Sequence, residues 1–239
     1  MRATVRAVGA EFLGSALLAA IVIGSGIMAQ QLSPSDVGLQ LFENAFATAL
    51  GLGVLILLLQ PVSGAHFNPV VTIADIVLHR RPWSVAGVYL PAQIAGCIAG
   101  AVLANLMFGL AAVSWSTTER ADGPRLLSEV VATAGLVFLI FALVRTGRGH
   151  LAAPAVGAYI GAAYFFTSST SFANPAITVG RTLSNTFAGI APASAPGYIA
   201  AQILGGLVGL GLIRALYPRL TPTQAADAVV SHHEAEATA

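Results

Sequence analysis

Runs of apolar residues too long for a water-soluble core decide which solvent this chain folds in. They extend from Phe12 to Ala29, Leu50 to Leu59, Val85 to Leu110, Val130 to Val144 and Tyr198 to Leu216. A helix crosses the hydrocarbon core of a bilayer with about 20 mostly apolar residues, and several of these runs reach or approach that length. Charged residues make up only 9% of the 239, against about 25% in soluble globular proteins. A soluble fold would have to hide all the runs at once. The chain therefore reads as an all-α membrane protein, with six full spans near 8–29, 40–60, 84–110, 126–145, 152–167 and 196–217. The first run carries Glu11 and has a counterpart later in the chain, so it is read as a retained span rather than a cleaved leader.

Two further apolar stretches, Asn68 to Leu78 and Asn174 to Leu183, are too short to cross. About 10 residues make roughly 15 Å of helix, half of the roughly 30 Å hydrocarbon core. Such pieces are tolerated only when packed inside protein or lining a wet cavity. They are expected to be re-entrant half-helices.

All eleven basic residues are arginine, and their placement orients the spans. With both termini in the cytoplasm, Arg2, Arg6, Arg80, Arg81, Arg145, Arg148, Arg214 and Arg219 lie inside, and Arg120, Arg125 and Arg181 outside. That asymmetry fits the positive-inside rule at a cell membrane. The segment 221–239 reads as a disordered cytoplasmic tail, and its His232 and His233 as solvated rather than metal-binding. The net charge of +1 holds no basic cluster suited to nucleic acid, and Cys97 alone can form neither an internal disulfide nor a thiol metal cluster. No nucleophile–base pair, metal-ligand spacing or phosphate loop points to an enzyme. No cofactor or metal is expected.

The chain repeats itself. Ala92-Gln93-Ile94-Ala95-Gly96-Cys97-Ile98-Ala99-Gly100 recurs as Ala201-Gln202-Ile203-Leu204-Gly205-Gly206-Leu207-Val208-Gly209, and Asn68-Pro69-Val70-Val71-Thr72-Ile73 as Asn174-Pro175-Ala176-Ile177-Thr178-Val179. Glu11 pairs in the same way with Glu129. A single domain is thus built from two units, about 8–110 and 126–217, each with two spans, a half-helix and a third span. Three full spans per unit is an odd number, so the second unit inserts upside down. The half-helices enter from opposite faces and meet near the midplane.

An Asn-Pro pair starts a helix well, because Asn caps it and Pro at the first position gives up no needed N–H. A helix start carries about half a positive charge and unsatisfied donors. Two such starts facing each other oppose cations, hydronium included, while the amides of Asn68 and Asn174 still donate to a neutral oxygen.

Ser63-Gly64-Ala65-His66-Phe67-Asn68-Pro69-Val70 resembles the first signature of the major intrinsic protein (aquaporin) family, with Val70 in place of the usual alanine; Asn174-Pro175-Ala176 is similar to the second signature, intact. The likeness covers about residues 5–217. It implies an aquaporin-like homotetramer in the lipid bilayer, one pore per subunit, and passive flow of water or small uncharged solutes. Selectivity in such channels follows from pore width, lining donors and half-helix dipoles.

The outer filter departs from the family's pattern. Ile177 stands where most members carry arginine, and Arg181 follows four residues later. Arg181 either sits nearer the outer mouth or faces the surface with no pore role. Thr48 falls where strict water channels show a bulky aromatic, the fifth-span position lies somewhere from Ala162 to Tyr164, and Thr178 replaces the aspartate of glycerol-conducting members. A wider, less polar constriction is expected. The segment from Ser168 to Arg181 resembles bacterial members associated with arsenic-resistance gene clusters, which adds undissociated arsenite to the glycerol-like polyols as a solute.

Glu11 and Glu129 are carboxylates inside spans, expensive unless partnered. They are expected to accept hydrogen bonds from the re-entrant loops rather than to couple protons. His66 either lines the inner vestibule or packs. Gly96 with Gly100, and Gly205 with Gly209, offer small faces for close helix packing. Two other readings stay open: a coupled secondary transporter using the two glutamates, and a non-conducting scaffold in which Val70, Ile177 and Phe172 block the path.

Overall fold

A computed structural model describes residues 5–218. Among them the order is α1 (Val5–Leu32), α2 (Val37–Ser63), α3 (Pro69–His79), α4 (Ser84–Met107), α5 (Gly123–Arg145), a 3-10 turn (Gly149–Leu151), α6 (Ala152–Phe166), α7 (Pro175–Arg181) and α8 (Ala195–Leu216). The tail from 221, with His232 and His233, and Arg2 and Arg219, lie outside the described residues.

Local chemistry sets the helix ends. The Asp36 carboxylate accepts from Leu39 N at 2.9 Å and starts α2, and Asp122 accepts from Arg125 N at 2.9 Å and starts α5. Gly64, at φ +92°, ends α2. α4 stops at Met107 rather than at 110, because Gly109 takes φ +70° and Leu110 N donates back to Asn105 O at 2.9 Å. α1, α2, α4, α5 and α8 are long and apolar enough to cross a membrane. α6 has 15 residues, about 22 Å of helix, and the 3-10 turn lengthens it at its start. Large apolar side chains such as Phe42, Phe46, Leu50 and Leu57 point outward, as a lipid solvent requires.

The two units pack alike. α4 lies on α1 and α8 on α5, while α2 and α6 meet between them. The glycines permit the close approach. A Cβ at Gly96 would fall 2.3 Å from Phe12 O, and one at Gly100 2.0 Å from Ala16 O. At Gly205 it would fall 2.5 Å from Val130 O, and at Gly209 2.7 Å from Ala134 O. Phe12 and Ala16 stand to Glu11 as Val130 and Ala134 stand to Glu129, so the sequence repeat survives at atomic detail.

α7 is shorter than the expected 174–183. It ends at Arg181 because the carbonyls of Thr182 and Leu183 turn to the α4–α5 connection, accepting from Ser116 N at 2.9 Å and Ser114 N at 3.0 Å. Val70 is buried against α8, where a Cβ on Gly206 would lie 2.4 Å from its Cγ1. It is outside the conduit and blocks nothing there.

Candidate solute conduit

Two buried carboxylates shape the loops that precede the half-helices. Glu11 accepts from His66 N at 3.0 Å, Phe67 N at 2.7 Å, Ser63 Oγ at 2.6 Å and Gln93 Nε2 at 2.8 Å. Glu129 accepts from Phe172 N and Ala173 N, both at 2.9 Å, and from Gln202 Nε2 at 2.6 Å. Gln93 and Gln202 also donate to Thr72 and Thr178 Oγ1, each at 2.9 Å. Thr178 therefore faces α8 and does not line the cavity described below. The glutamine roles were not read from the sequence, although the repeated Ala-Gln pairs carried the signal.

The carboxylates also hold strained backbone. Ala65, Phe67, Ser171 and Ala173 take φ of 51°, 49°, 50° and 47°, a region costly for residues with a Cβ unless the surroundings enforce it. Residues 65 and 67 match 171 and 173 in the repeat, so both loops are bent alike.

This bending brings the asparagines together. Asn68 Oδ1 accepts from Val70 N at 2.9 Å, and its amide donates to Ala173 O at 2.7 Å. Asn174 Oδ1 accepts from Ala176 N at 2.9 Å and Ile177 N at 3.3 Å, and its amide donates to Phe67 O at 2.7 Å. Each asparagine caps its own helix and binds the loop of the other. Pro69 and Pro175 occupy the first helical positions. Ala176 is fully buried among apolar side chains.

Both asparagines line one narrow cavity of about 70 Å³. One wall is apolar, with Leu18, Val22, Leu52, Ile56, Val156 and Ile160; the other presents the loops, His66, Ser171 and Arg181. Ser171 Oγ is buried without a partner. At the end away from Arg181 the space continues into a vestibule holding Gln60, Asp75, His79 and Arg81. His66 lines both spaces; its Nδ1 lies 3.1 Å from Thr72 Oγ1 and its Nε2 3.8 Å from Asp75 Oδ2. Asp75 also meets His79 Nδ1 at 2.7 Å and Arg81 Nε at 2.6 Å. Asp75 was not singled out from the sequence, since a lone Asp in a half-helix carries no repeat partner.

At the opposite end the expectation of a less polar lining is corrected. Arg181 is buried, lines the cavity, donates from Nε to Ala188 O and lies 3.3 Å from the centroid of the Phe172 ring. One helical turn brings it along the same face as Ile177, which also lines the cavity. Tyr164 reaches across from α6, its hydroxyl 3.2 Å from Thr48 Oγ1. Ala162 is exposed and off the conduit, because two residues along a helix turn a side chain to nearly the opposite side.

Apolar spans, a mirrored pair of half-helices and a two-ended cavity between them define a membrane channel. The sequence profile described as Major intrinsic protein matches residues 1–171. The chain is 46% identical to aquaglyceroporin AqpS of Rhizobium meliloti (strain 1021), over 89% of this chain and 91% of that one. It is 30% identical to the glycerol uptake facilitator protein of Pseudomonas aeruginosa, over 92% of this chain and 91% of that one. The fold matches the X-ray structure of the aquaglyceroporin from Plasmodium falciparum with a TM-score of 0.68 at 20% identity, covering 89% of this chain and 96% of that one. The chain belongs to the major intrinsic protein family.

Proposed function

We propose that this protein is a passive channel for water and small uncharged polyhydroxyl solutes, glycerol-like polyols first and undissociated arsenous acid as their mimic. The observation that carries the reading is the reciprocal pair of 2.7 Å bonds that sets Asn68 and Asn174 on one cavity. Each amide keeps a second N–H for a passing oxygen. The apolar wall opposite takes the carbon side of a polyol. The two half-helix starts and Arg181 act against cations. Outer selection falls to Arg181, Phe172, Thr48, Tyr164 and Ile177.

The similarity to an aquaglyceroporin and to a glycerol uptake facilitator supports the polyol assignment. A coupled transporter needs a free carboxylate, whereas Glu11 and Glu129 spend their acceptors on the loops and glutamines. The chain forms a single channel unit in the plasma membrane, with both termini cytoplasmic, and assembles as a homotetramer. Arg145 donating to the Tyr217 carbonyl ties the ends of α5 and α8 together, in keeping with one arginine-rich face.

Stopped-flow swelling of proteoliposomes with water, glycerol, urea and arsenite tests the reading. Glycerol and arsenite flux above that of empty vesicles is expected, and Arg181→Ala raises the glycerol-to-water ratio. Equal glycerol flux with and without protein would sink the polyol assignment.

A further inference from the structure

Arg181 has no carboxylate within ion-pair distance among the described residues; their ion pairs use Asp75 and Asp122 alone. Its guanidinium is held by neutral partners, the Ala188 carbonyl and the face of Phe172. Those partners are themselves held by a second arginine. Arg120, on the connection between α4 and α5, donates from Nε to Gly189 O at 2.8 Å and from Nη2 to Phe187 O at 3.1 Å. It brackets the carbonyl that Arg181 uses. Three consecutive carbonyls, 187 to 189, thus serve two guanidinium groups in alternation. Arg120 also lies 5.5 Å from the centroid of the same Phe172 ring.

We infer that Arg120 is a positioning residue for the outer filter: by clamping the 187–189 segment from both sides of Ala188, it fixes where the Arg181 guanidinium stands in the conduit. The fork of the guanidinium is what the clamp requires, because two carbonyls two residues apart need two donors in fixed geometry. The clamp has its own footing. Arg120 N donates to Ser194 Oγ at 3.0 Å, and Ala191 N donates to Thr118 O at 2.7 Å, so the two connections are stitched on both sides of the contact. Without the clamp, the segment that carries the Ala188 carbonyl loses its tie to the α4–α5 connection, and Arg181, which lines the cavity, has room to follow it.

The inference rests on the filter reading of Arg181, and the test separates the two. Glycerol-to-water permeability ratios are measured for wild type, Arg181→Ala, Arg120→Met, Arg120→Lys and the double variant Arg120→Met/Arg181→Ala. Loss of charge-assisted hydrogen bonds moves the Arg120→Met ratio roughly 3- to 10-fold toward that of Arg181→Ala. The double variant matches Arg181→Ala, since positioning an absent side chain has no effect. Arg120→Lys keeps the charge without the fork and falls between wild type and Arg181→Ala; it carries the test if Arg120→Met does not assemble. A wild-type ratio in Arg120→Met or Arg120→Lys, beside a shifted Arg181→Ala, overturns the positioning role alone. Independent, multiplicative effects in the double variant do the same. An unshifted Arg181→Ala removes the filter reading and this inference together.

Discussion

Glu11 and Glu129 show how one side chain sets the direction of several others. Each carboxylate accepts two consecutive backbone N–H groups, from 66 and 67 in one unit and 172 and 173 in the other. Acceptor-only chemistry matters here, because an amide would turn one donor toward another donor. Glu129→Gln therefore turns an NH2 either toward Phe172 N, or toward Ala173 N and Gln202 Nε2 together, in a buried site, and costs about 1–3 kcal/mol. Denaturant unfolding in detergent measures it. A change below ~0.5 kcal/mol would show that the loop keeps its shape without the carboxylate. Water flux in the surviving fraction should fall as well, since the same loop delivers Ala173 O to Asn68.

On the scale of helices, the two half-helices are matched unequally to their neighbours. Val70 on α3 fills the space opposite Gly206 on α8. In the other unit the smaller Ala176 on α7 shares its buried cluster with the larger Cys97 on α4, the repeat counterpart of Gly206. The departure of Val70 from the family's alanine is thus balanced by a glycine 136 positions later. Gly206→Ala places a methyl 2.4 Å from Val70 Cγ1 and overpacks the contact by about 1–3 kcal/mol. Adding Val70→Ala restores most of that loss. A double-mutant cycle in detergent stability reads the coupling, and additive effects would show that the two helices do not sense each other.

Over the whole molecule, inversion turns two ordinary helix starts into one opposed pair. The two ends of the cavity carry different groups: Asp75, His79 and Arg81 in the vestibule at one, Arg181 and Phe172 at the other. Glu11 and Glu129 spend their acceptors on the loops and glutamines, which leaves neither free to couple transport to a cation. Net glycerol flux should follow its gradient in either direction and remain unchanged when proton and sodium gradients are collapsed. Accumulation against a gradient that ionophores abolish would contradict the channel. The same vesicles, loaded with a pH-reporting dye, should show no more proton entry than empty ones.

Much of this was legible in the residues. Hydropathic runs and arginine placement follow from the cost of exposing polar groups to lipid, and the odd number of spans per repeat forces inversion. The Asn-Pro pairs and the glutamates announce themselves by recurring in both units. What recurrence cannot carry is an interaction made once. Arg181 reaches the conduit through Phe172 and Ala188, Tyr164 reaches Thr48 across 116 positions, and Arg120 grips a segment 67 to 69 residues away. Sequence spacing along one helix left the fifth-span position open between Ala162 and Tyr164; only the packing of α6 on α2 decided which side chain turned inward. The chain thus determined by itself its solvent, its span pattern and its opposed half-helices, because these depend on local hydrophobicity and symmetry. The surroundings of Arg181 were decided by tertiary structure, because they come from separate segments and share no pattern until the fold brings their side chains within reach.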